Sequence, residues 1–203
     1  MSLPAMLSFA KINNTFEEWV VTHLDIAFDV ALRQYVADPA VFRSAMRLYG
    51  AVLSGSFALH FLRMNDKCEF NPGDLDLYVP RSYATRILAY LLDVEGYSFI
   101  TTFRVPYGQN VAQQFVIVVG KPGLTIDIIP SVSEEALYPL SHFWGSHLVN
   151  YISADTFCVA YPELTFWGRS LLSPGSSATD TVLSDACLEL GGTAGISEVY
   201  LPT

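Results

Sequence analysis

Residues 74–79 read Asp-Leu-Asp-Leu-Tyr-Val, an alternation of acidic and apolar residues with a period of two. A β-strand sends successive side chains to opposite faces, so Asp74 and Asp76 share one face while Leu75 and Leu77 share the other. An α-helix would scatter the same residues around its circumference. The segment therefore belongs to a sheet with one face in the core and two like charges on the other. An unpaired carboxylate is costly to bury, so the pattern asks what those two charges meet.

The flanking sequence supplies the rest of a mixed architecture. Residues 15–38 carry apolar residues at helical spacing, with Thr15 placed as an N-cap and Glu17 and Glu18 in the first turn, where the helix dipole favours them. A second, shorter helix runs from Pro39 to Gly50. "AVLSGSFALHFLRM" then reads as strand, Ser-Gly-Ser turn and helix. After the aspartate strand, residues 81–96 form an amphipathic helix closed by Gly96, and 97–105 a strand. "AQQFVIVV" and "LTIDII", joined by "GKPG", form a hairpin that places Asp127 in its second arm. Residues 133–144 suggest a short helix, and 147–153 with 156–162 a further hairpin around Ala154 and Asp155. The expected class is α/β (α+β): a mixed sheet flanked by helices. We expect an N-terminal helical segment over 1–48 packed on a core at 49–172, with a tail or arm of small and polar residues over 173–203, all in one domain.

Composition narrows the function. Twenty Asp and Glu against eleven Lys and Arg give a net charge of −9, which argues against long nucleic acid as a partner. The same balance suits divalent cations, which supply the positive charge a phosphate ligand needs. Hydrophobic residues make up 51% and charged residues only 15%, so the surface is bland enough to leave a homodimer open. No apolar run reaches bilayer length, and "MSLPAMLSFAK" lacks the basic start and long apolar stretch of a secretory signal, so we expect a cytoplasmic protein without a membrane partner. Cys68, Cys158 and Cys187 are scattered and odd in number, as expected of reduced thiols.

Three features fall in order along the chain: Gly55-Ser56 between a strand and a helix, Asp74 and Asp76 on the next strand, and Asp127 on a later one. Carboxylates gathered on one side of a sheet repel one another, and a hard cation with oxygen preference relieves that repulsion. A glycine before a helix lets backbone approach a phosphate, and first-turn N–H groups face the anion. In this order, "LSGS", "DLDLYV" and "TIDII" resemble the nucleotidyltransferase superfamily, the group that contains polymerase beta, antibiotic nucleotidyltransferases and minimal stand-alone members. The resemblance covers about residues 50–130. It implies Gly55 and Ser56 on a nucleoside triphosphate, and Asp74, Asp76 and Asp127 as ligands of Mg²⁺ (or Mn²⁺). It also implies catalytic roles for the three acids, with Asp127 helping to deprotonate an acceptor of unknown identity. Two departures accompany it: the spacing between Ser56 and Asp74 is longer than the family usually shows, and little helical signal follows Asp127.

Two other readings stay open: a nucleotidyltransferase-like module that binds nucleotide without turnover, and, more distantly, a metal-dependent glycosyltransferase using Asp-x-Asp. Other residues read as structural. His60 and Arg63 share a helical face with Ser56 and could reach phosphates, but fit surface or core-edge positions. Lys67, Arg81, Arg104, Lys121 and Arg169 read as solvated charges, and Tyr151, Tyr161 and Trp167 as core aromatics. His142 and His147 have no third ligand nearby in sequence.

Overall fold

The computed structural model describes residues 1–64, 70–105, 114–143 and 145–172. Three helices lead: α1 (Leu3–Ala10), α2 (Asn14–Leu32) and α3 (Pro39–Tyr49). The N-cap of α2 is Asn13, not Thr15: the Asn13 side chain accepts from Phe16 N at 3.1 Å. Asp38 caps α3 in the same manner, and Gly50 ends that helix with φ of 61°. Strand β1 (Val52–Ser54) runs into α4 (Gly55–Leu62), and β2 (Asp74–Val79) is followed by α5 (Ala84–Asp93). Strands β3 (Ser98–Val105), β4 (Gln114–Lys121) and β5 (Leu124–Pro130) form a meander, and β6 (Tyr151–Ile152) and β7 (Phe157–Cys158) a short hairpin before α6 (Pro162–Phe166).

The seven strands make one sheet in the order β3-β4-β5-β2-β1-β6-β7. Only β2 and β5 pair in parallel; the other neighbours are antiparallel. The mixed sheet flanked by helices expected from sequence is the architecture observed. Leu75, Leu77, Ile126 and Ile128 are fully buried on one face, where they pack with Phe28, Leu32 and Phe42 from α2 and α3 and with Ile87 and Leu91 from α5. The alternate residues Tyr78 and Ile129 pack on the opposite face with Ala136 and Leu140. That second cover reaches only part of the face, and the aspartates follow the same alternation beyond its edge.

Of the helix expected over 133–144, residues 133–143 do not form an α-helix, and 144 lies outside the described residues. Tyr138–His142 is a 3-10 turn, preceded by Ser131 and Ser133 whose hydroxyls accept from Ser133 N (3.1 Å) and Glu135 N (3.2 Å). Those side-chain bonds replace the backbone bonds that would start a helix. Helix α1 was not evident from the sequence. No helix among the described residues is long and apolar enough to cross a membrane. The expected arm over 173–203 with Cys187, and Lys67 and Cys68, lie outside the described residues; Cys158 is a free thiol.

Candidate metal centre

Strand pairing brings the three acids together. In the parallel β2–β5 pair Asp76 stands opposite Asp127, and in the antiparallel β1–β2 pair Asp76 stands opposite Ser54. Asp74 lies two residues before Asp76 on the same face. Each of the three carboxylates offers an oxygen, and these oxygens all lie within 4.8 Å of one another. All three residues are partly exposed, so the cluster is open to a ligand.

Like charges this close disfavour ionisation, and burial adds to the effect. Burial first, then Asp74, then Asp127 push the Asp76 carboxyl from 3.8 up to about 8. Burial first and Asp74 second push Asp127 up to about 6. Every cause acts in the same direction, so the site is short of positive charge. The donor set is all carboxylate oxygen, with no thiolate or imidazole, which is the chemistry of Mg²⁺ or Mn²⁺ rather than of a soft metal. The residues present therefore fit a hard divalent cation.

Gly55 closes the site on the β1 side. Its φ is 66°, a left-handed backbone that side chains oppose, and a Cβ there would fall within 2.9 Å of Asp76 Cγ. Glycine is thus required twice, by backbone conformation and by the carboxylate packed against it. The N-cap residue Ser54 makes no side-chain hydrogen bond to the first turn of α4, so among the described residues those N–H groups lack the usual cap acceptor. Ser56 Oγ is buried and finds no hydrogen-bond partner among the described residues. An orphaned hydroxyl and an uncapped helix start beside a carboxylate cluster suit an anion held together with a cation.

Two contributors were not singled out from sequence. Ser54 is fully buried, and its hydroxyl donates toward the carbonyls of Asn150 (2.6 Å) and Leu148 (3.0 Å), locking β1 to the chain ahead of β6. Tyr35 is buried, donates to Pro72 O at 3.3 Å and accepts the Tyr97 hydroxyl on its own carbonyl at 2.6 Å. It thereby anchors the chain just ahead of Asp74. Neither role has a local signature: a serine before a glycine and a tyrosine after an amphipathic helix look ordinary until the sheet is assembled.

The remaining candidates take structural positions. The cations of Arg104, Lys121 and Arg169 lie over the rings of Phe115 (4.8 Å), Tyr97 (4.2 Å) and Trp167 (5.5 Å). Arg63 is buried at the end of α4, and Tyr151 packs against the second core cluster, while Trp167 is 66% exposed rather than core. His147 is buried with Nδ1 2.5 Å from Ser170 Oγ, and burial lowers its pKa to about 4. No protein-family model matches this sequence, and no curated protein is detectably similar to it, so the functional reading rests on the geometry of the site.

Proposed function

We propose that this protein is a Mg²⁺-dependent nucleotidyltransferase that moves a nucleoside monophosphate group from a nucleoside triphosphate to a hydroxyl acceptor. The observation that carries the reading is the convergence of Asp74, Asp76 and Asp127 beside a glycine whose backbone conformation and packing both exclude a side chain. The order of parts supports it as well: strand, Gly-Ser, helix, Asp-x-Asp strand, then a parallel strand bearing the third acid, all in a mixed sheet.

In this reading Asp74, Asp76 and Asp127 would hold the cation, and Gly55, Ser56 and the first turn of α4 would receive the triphosphate. A bound divalent ion would neutralise the phosphates and stabilise charge on the attacking and leaving oxygens. The protein's own part is placement. Gly55 admits phosphate close to the backbone, Ser56 Oγ donates to a phosphate oxygen, and Asp127 takes the proton of the acceptor hydroxyl. The acceptor oxygen forms a bond to the α-phosphorus as the bond to pyrophosphate breaks, and the proton passes to Asp127.

The test is pyrophosphate release from each of the four ribonucleoside triphosphates with Mg²⁺ and a panel of small-molecule, protein and nucleic-acid-end acceptors. Wild type is expected to release pyrophosphate and bind nucleotide only with the metal; Asp74→Asn with Asp76→Asn is expected to do neither. Metal-dependent binding without release would leave a nucleotide-binding module in place of an enzyme. No metal-dependent binding at all would end both.

A further inference from the structure

A cleft of ≈ 210 Å³ opens between α2 and α4. Its walls include Tyr35, Phe57, His60 and Phe61, with the amides of Gln34 and Asn71 at its margin. Its size selects the occupant. A void of about 150 Å³ accepts benzene, whereas pockets for whole drug-sized ligands run from about 300 Å³ upward. The cleft therefore suits one planar ring system.

Its chemistry selects further. Aromatic walls favour the face of a ring. His60 Nδ1 is buried without a hydrogen-bond partner among the described residues, its ring edge-on to Phe70 at a centroid separation of 5.5 Å. A buried ring nitrogen left unpaired costs free energy until a ligand edge meets it. The His60 ring and the two amides, all on the lining, carry donors and acceptors that suit the rim of a heterocycle.

The cleft also adjoins the metal centre. Phe57 is the residue after Ser56, and Pro72, another of its walls, is two residues before Asp74, a reach of at most about 7 Å along the chain. Tyr35 belongs to both: it lines the cleft and donates to Pro72 O, two residues before Asp74. Among the described residues, no lining residue comes from β4 or β5, the flank that carries Asp127. A group seated here would lie nearer the Gly55-Ser56 side of the centre than the β4–β5 flank.

We infer that this cleft receives the nucleobase of the bound nucleotide, stacked among Tyr35, Phe57 and Phe61 and read by His60. The inference rests on the proposed nucleotidyl chemistry for its ligand but occupies separate residues, so the two fail separately. The experiment is titration calorimetry of the full chain with Mg²⁺ and each of the four nucleoside triphosphates, against Mg²⁺ with inorganic tripolyphosphate. The variants are Val30→Trp, which fills the cleft from a residue 54% exposed, and His60→Ala. Wild type should bind at least one nucleotide about tenfold or more tighter than tripolyphosphate. Val30→Trp should bring that nucleotide to the level of tripolyphosphate and leave tripolyphosphate unchanged; His60→Ala should lower the preference among bases.

A nucleotide that binds no better than tripolyphosphate, or a preference that survives Val30→Trp, overturns the inference while leaving the phosphate reading standing. A second arm uses free nucleosides and ligand-observed NMR on Asp74→Asn with Asp76→Asn. Binding retained there and lost in Val30→Trp supports the cleft even if tripolyphosphate fails to bind wild type. Absence of nucleoside binding in both backgrounds counts against it.

Discussion

Asp76→Asn should make the metal-free protein more stable, and the gain should depend on pH. The Asp76 carboxyl rises from 3.8 to about 8 in the fold, so the folded chain holds that proton more tightly than the unfolded chain does. The associated stability is complete below 3.8 and is lost as the pH climbs through about 8; Asp127 behaves alike between 3.8 and about 6. At about 1.4 kcal/mol per tenfold change in proton affinity, full ionisation of Asp76 costs at most roughly 6 kcal/mol. Water penetration and the shared titration of three carboxylates reduce this to about 2 kcal/mol. Asparagine keeps the shape that packs against Gly55 while removing the charge. In a chain of this length about 2 kcal/mol corresponds to roughly 4–8 °C in Tm. Calorimetric melting in chelator at about pH 8.5 should therefore show the variant above wild type by that margin, and the two should converge near pH 4. Mg²⁺ should raise wild type and leave the variant unmoved. A variant that melts below wild type in chelator at high pH, or a difference indifferent to pH, would show that Asp76 is a structural residue and refute the reasoning.

Other substitutions test the scaffold around the cluster. Gly55→Ala should cost about 1–2 kcal/mol for the left-handed backbone alone, with more from the clash with Asp76, and abolish Mg²⁺-dependent stabilisation, read by denaturant melts with and without metal. Asn150→Ala should lower stability by about 2–3 kcal/mol, because the buried amide accepts from Ala160 N at 3.1 Å and donates to His147 O at 2.9 Å; a loss below about 0.5 kcal/mol would count against that network. Leu77→Ala, on the fully buried face of β2, should cost about 2–5 kcal/mol in urea titration without changing metal affinity in the fraction that remains folded.

The elements legible in the sequence were those whose signal is local. The β2 alternation, the Gly-Ser turn before α4, the Gly50 stop and the β4–β5 hairpin each carry their own period or turn chemistry. Competing local bonds explain the errors: Asn13 caps α2 ahead of Thr15, and the hydroxyls of Ser131 and Ser133 divert the chain into a 3-10 turn where a helix was expected. The shared face of Asp74 and Asp76 could be read directly, but the pairing of Asp76 with Asp127 could not, since register between strands far apart in sequence leaves no periodic trace. Ser54 and Tyr35 stayed hidden for a similar reason. Their partners, Asn150 and Pro72, lie 96 and 37 residues away.

The parallel β2–β5 pairing has a kinetic corollary. Its two strands meet only after α5 and the β3–β4 arm have been laid down between them, and such a distant closure is entropically slow to reach. Helices and hairpins can therefore assemble while Asp127 is still far from its partners, and a nascent or partly unfolded chain has no cation trap. Protection by Mg²⁺ would then mark the finished sheet alone, making the ion a reporter of the last tertiary step.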